Sequence, residues 1–181
     1  MMRLYYTTSI KENDPQKDIR LSLGGYMSTV AVKKSNLNNF FSDITEYSKA
    51  NIDKKQYIAL ILKNDDSQDI SDVNIWFDFP ENCASIIKIA AISLTDGATE
   101  RVSDIYTEPL FIDEFHEANG ESESYSVGGM AKGEGVAIWL ERTFIKNEIL
   151  NQKLYEAVDN YSFKIAPNND LDTIKMTIEY I

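Results

Sequence analysis

YIALILK, residues 57–63, decides the fold. Six consecutive residues are apolar, and the run is too short for a buried helix. Neither a period of two nor one of 3.6 divides it into a wet and a dry face. It therefore predicts a central strand covered on both sides. It lies between the polar turn KANIDKK and NDDSQDISD, whose Asn and Asp residues favour a turn.

Outward from this strand the pattern repeats. In VNIWFDF, residues 73–79, Val73, Ile75, Phe77 and Phe79 share one face, and Asn74, Trp76 and Asp78 the other. Pro80 ends that ladder because it has no N–H to donate. SIIKIAAISL, residues 85–94, reads as a further strand closed by the turn TDG. VAIWLERTFI, residues 136–145, places Val136, Ile138 and Leu140 on one face, with Trp139, Glu141 and Thr143 opposite. In TIKMTIEYI, Ile174, Met176, Ile178 and Tyr180 alternate with Lys175, Thr177 and Glu179, a strand signal at the chain's end.

Two helical patterns interrupt the strands. Residues 35–47, SNLNNFFSDITEY, carry Leu37, Phe40, Phe41 and Ile44 at helical spacing behind Ser35 as N-cap. Residues 147–158 fit either a helix or a hairpin connection. Residues 98–135 hold one or two short strands or a long loop. RLYYTT, residues 3–8, is a short strand, and the polar stretch 9–25 reads as an arm or loop in which Gly24 and Gly25 allow a sharp turn. Strands bounded by turns, without βαβ alternation, predict a mainly β, antiparallel β-sandwich, Ig-like or jelly-roll-like, with one or two short helices. Residues 1–34 form an extended N-terminal strand and arm, and 35–181 the sandwich.

Composition narrows the function classes. The chain has 181 residues, 43% of them hydrophobic, and a net charge of −11, which suits one compact globular domain. Phosphate neutralisation needs surplus Lys and Arg, so the charge argues against nucleic acid and an anionic membrane as partners. Cys83, the single cysteine, forms no intrachain disulfide. The start lacks an apolar segment of the secretory type, and no apolar run reaches transmembrane length.

No residue pattern specifies a reaction. Gly128, Gly129, Gly133 and Gly135 precede a strand, whereas a phosphate loop opens a helix. The order Lys132-Gly133-Glu134 also puts a carboxylate where phosphate would sit. They read as a turn into the strand at 136. Asp65, Asp66, Asp69 and Asp72 share one turn but lack the glycine and distal glutamate of a calcium loop. His116, the only histidine, sits among acids without a second zinc-type ligand. The expectation is a protein with no catalytic residue, cofactor or metal. Arg142, near the end of its strand, reads as a structural anchor that bonds a carboxylate or loop carbonyls.

Four pieces in order, LGGYMSTVAVKKSNLNNFFSDIT, QYIALILKND, VNIWFDFPE and GEGVAIWLERTF, resemble a domain of virion structural proteins of tailed bacteriophages. They lie within residues 21–145. Ile58–Ala59 departs from the family's pattern, in which arginine follows the tyrosine. The resemblance implies an assembly or decoration β-sandwich at a head–tail connector, a collar or the capsid surface. It implies a virion location after synthesis in the host cytoplasm, a homo-oligomer, and other virion proteins and copies of itself as partners. In that reading Gly24, Gly25, Trp76, Trp139 and Arg142 are structural or assembly residues, and Tyr5 and Tyr6 lie along a neighbour. An alternative is a carbohydrate-binding or adhesin-type sandwich in which exposed Trp76 and Trp139 stack on sugar rings.

Overall fold

A computed structural model describes residues 1–33, 41, 55–79, 85–144 and 174–181. The described chain is mainly β and antiparallel, with a larger sheet curled into a half-barrel and a smaller one against it. The larger sheet holds β1 (Met2–Thr8), β2 (Gly24–Ala31), β3 (Gln56–Asn64), β5 (Ser85–Ser93), β6 (Ala98–Arg101), β7 (His116–Glu117) and β9 (Gly135–Phe144), in the order β6-β2-β1-β3-β9-β5-β7. The smaller holds β4 (Val73–Asp78), β8 (Tyr125–Ser126) and β10 (Lys175–Tyr180), in the order β10-β4-β8. Two single-turn 3₁₀ segments, Ile19–Leu21 and Glu121–Glu123, lie in the connections. The edges of the larger sheet are its shortest strands, which limits unpaired backbone.

The double-faced run at 57–63 lies where both faces need apolar cover. β3 pairs with β9 from Gln56↔Arg142 to Lys63↔Gly135, and with β1 from Met2↔Asn64 to Tyr6↔Leu60. On one face Ile58, Leu60 and Leu62 join Val136, Ile138 and Leu140 of β9 and Val73, Ile75 and Phe77 of β4 in the core between the sheets. On the other, Tyr57 and Ala59 join Ala137 and Trp139 in a second core beneath Leu23, Val102, Ile105, Ile112 and Phe115. Residues 102–115 are thus a lid over the second face. Complete burial of Ile58, Leu60 or Leu62 contributes roughly 2 kcal/mol each.

The expected strands at 3–8, 57–63, 73–79, 85–94, 136–145 and 174–181 form within a residue or two of their expected ends. The helix expected over 35–47 lies outside the described residues apart from Phe41, as do Cys83 and the segment 147–158.

The N-terminal arm is a correction. β1 and β2 are interior strands of the larger sheet, and the polar link between them folds back onto both. Gln16 Nε2 donates to the Thr7 carbonyl at 2.7 Å, and Ser28 Oγ donates to the Gln16 carbonyl at 2.5 Å. The Thr29 N–H reaches the Asp14 carbonyl at 3.0 Å. Gln16 and Asp14 thus satisfy backbone groups of β1 and β2, while most of residues 9–18 stay exposed.

Gly24 and Gly25 are likewise not a turn. Both lie in β2 with φ of +90° and +94°, at a register shift against β6. A Cβ at position 25 would stand 2.4 Å from the Thr8 carbonyl oxygen. Glycine is required here for close backbone approach inside a sheet.

Candidate functional site

The glycine-rich loop can be judged by where its N–H groups point. Asn64, fully buried at the end of β3, holds it in place. Its Nδ2 lies 2.9 Å from the Gln68 carbonyl, 3.1 Å from that of Met130 and 3.2 Å from that of Ala131. Its Oδ1 accepts from the Asp66 N–H at 2.9 Å. The N–H groups from Met130 to Glu134 are already engaged. Gly133 donates to the Asn64 carbonyl, Lys132 to Asp69 Oδ1 at 2.8 Å, and Ala131 to Glu134 Oε2 at 2.7 Å. A phosphate would have to displace the Glu134 carboxylate, so this loop is a strand entry stapled to the acidic turn.

The acidic turn is held in the same way. Asp65 accepts from the Tyr5 hydroxyl at 2.5 Å and lies 3.4 Å from Lys63 Nζ. Burial alone would raise the Asp65 pKa, but the bonds from Tyr5 and Lys63, with Arg3 nearby, lower it overall. The Tyr5 phenol moves up, first through burial and then through Asp65. Asp72 accepts from Asn74 Nδ2 at 2.8 Å. Among the described residues no group of three or more His, Cys, Asp and Glu side chains gathers as metal ligands. His116 is exposed in β7, with its ring 5.4 Å from that of Tyr125.

Arg142 is an interior anchor. It is 3% exposed between Gln56 of β3 and Ile87 of β5. Its Nε donates to Ser85 Oγ and its Nη1 to Gln56 Oε1, both at 3.3 Å, and the guanidinium lies 5.8 Å from the centre of the Phe41 ring. On the opposite face Glu141 is buried beside Tyr57 and bonds Lys55 Nζ at 2.9 Å. Burial first, then Glu141 and Glu108, hold the Tyr57 phenol well above its ordinary pKa.

The remaining aromatic candidates turn inward, which corrects two expectations. Trp139 is fully buried and donates from Nε1 to Thr99 Oγ1 at 3.0 Å, and Trp76 is 9% exposed in the core between the sheets. Neither indole is open to a sugar ring, because both side chains are buried. Tyr6 is 5% exposed in that core, and the Tyr5 hydroxyl is tied to Asp65 of the acidic turn.

The exposed aromatic surface lies in the lid. Leu110 is 85% exposed and Phe111 78%. They form the tip of the lid between buried Pro109 and half-buried Ile112, while the Phe115 ring packs 5.6 Å from that of Tyr57. Glu100 of β6 holds the tip. Its Oε1 accepts from the Leu110 N–H at 2.8 Å and its Oε2 from the Phe111 N–H at 2.9 Å. Glu108, Asp113, Glu114 and Asp104 are exposed on the same segment. In sequence PLFI is an apolar piece within 98–135, a stretch that reads as one or two short strands or a long loop, and the signal that marks it as surface is the density of acids on either side.

No helix among the described residues is long and apolar enough to cross a membrane. No protein-family model matches the chain, and neither does any curated protein or solved structure.

Proposed function

We propose that this protein is a non-enzymatic structural component of a tailed-phage virion, placed in a ring or shell position by protein–protein contacts. A head–tail connector, a collar or a capsid decoration would use such a module. One observation carries the reading: the four motifs that resemble virion proteins occur in order, and their described parts fall on separate core strands. LGGYMSTVA reaches through β2, QYIALILKN is β3, VNIWFD is β4, and GEGVAIWLERTF contains β9. Polar side chains on these motifs support it, because they tie the strands to one another and to their loops. Asn64 staples two turns, Arg142 bridges β3 and the start of β5, and Asp65 holds Tyr5.

Mass spectrometry of purified particles tests the proposal. The expected result is this chain at a fixed ratio to the principal shell protein. Particles without it would overturn the reading.

A further inference from the structure

We propose that the Leu110–Phe111 tip is a docking knob for a different protein, one that offers an apolar pocket rimmed by Lys and Arg. It deepens the assembly reading by naming the contact, and rests on that reading for the partner's being a particle component.

Three observations carry it. The two side chains are the most exposed large apolar residues within the described part of the lid, and they are adjacent. Such exposure has a solvation cost that a contact would relieve. The tip is also fixed before it meets anything. Glu100 holds both backbone N–H groups, Pro109 is buried, and Phe115 packs on Tyr57. An anchored segment loses little conformational freedom on binding, so the cost of ordering it subtracts little from affinity. Finally, the surroundings are acidic, with Glu108, Asp113 and Glu114 exposed beside the tip.

The charge selects the partner. A membrane with anionic headgroups would repel these acids. A second copy would bring another surface of a chain with net charge −11. A basic-rimmed pocket complements both the knob and its rim.

The test places a photo-crosslinking phenylalanine analogue at position 111 of the full chain in its native host, with the same analogue at exposed position 123 as control. The expected result is a position-111 adduct with another protein, mapped by peptide sequencing to apolar residues flanked by Lys or Arg. With that protein purified, Phe111→Asp should weaken binding by roughly 30-fold while the melting temperature stays unchanged. Raised ionic strength should weaken binding further by screening the rim. No adduct above the control, an adduct with this chain itself or with lipid, or unchanged binding by Phe111→Asp would each overturn the knob. If the knob fails while the chain is found in particles, the assembly reading stands. A mapped adduct with a protein absent from particles would leave the knob standing and count against the virion assignment.

Discussion

The Trp139 indole lies against the backbone of Gly24, so that a Cβ at position 24 would stand 2.9 Å from the ring's Cζ2 and 1.8 Å from the Glu100 carbonyl oxygen. Thr7 Oγ1 of the neighbouring strand β1 accepts from the Gly24 N–H at 3.0 Å. The second core is therefore closed by a residue with no side chain. Gly24→Ala must strain a left-handed φ and also push backbone or indole aside, a combined cost of about 3 kcal/mol or more. Gly97→Ala provides the control, since its Cβ would meet nothing within 4 Å and only the φ of +78° is strained. Urea unfolding should show a loss of about 1 kcal/mol for Gly97→Ala and several times that for Gly24→Ala.

Asn64 tests whether the glycine loop depends on its staple. Asn64→Ala leaves three carbonyls without their Nδ2 donor and the Asp66 N–H without its acceptor, and should cost about 3 kcal/mol. Asn64→Asp keeps the acceptor but sets a carboxylate against carbonyl oxygens. Hydrogen exchange separates the two roles. The Asp66 amide should exchange faster in Asn64→Ala and stay protected in Asn64→Asp, although both variants are destabilised.

Tyr57 predicts an alkaline limit to stability. Its folded pKa is raised above its ordinary value of 10.0, so the folded chain keeps a proton that the unfolded chain releases. The folded state then binds more protons above about pH 10, and stability falls as pH rises past that point. Below it the contribution is fully present. Denaturant titrations at about pH 8 and about pH 11 should show wild type losing up to about 1 kcal/mol more than Tyr57→Phe between the two.

Glu100→Ala should release the lid tip without unfolding the sandwich. Leu110 and Phe111 amides lose their acceptors and should exchange at least about tenfold faster, whereas global stability shifts by about 1 kcal/mol or less. Unchanged exchange at these two amides would show that the carboxylate does not hold the tip.

Much of the sheet was legible because β3, β4, β5, β9 and β10 carry their faces in local alternation or in unbroken apolar runs. The two faces of β9 came out as read, with Ile138 toward the small sheet and Trp139 toward the lid. β2 was not legible, because GGYMSTVA opens with two glycines whose requirement comes from Thr8, Glu100 and Trp139, remote in sequence. β7 and β8 have two residues each, too few for any period to show. The docking tip escaped for the opposite reason. Apolar sequence signals burial, whereas Leu110 and Phe111 lie exposed with their N–H groups held by the Glu100 carboxylate.

The strand order has a consequence for biosynthesis. β9 lies between β3 and β5, yet about 40 residues separate the end of β5 from its start. At elongation rates of about 5–20 residues per second that gap corresponds to a few seconds or more. Throughout it β3 and β5 each lack a native edge partner, and YIALIL has the uncharged, proline-free character of segments that pair between chains. Ribosomes translating neighbouring copies would thus display open edges side by side, and the yield of folded chain should be set by how quickly β9 emerges to fill the gap.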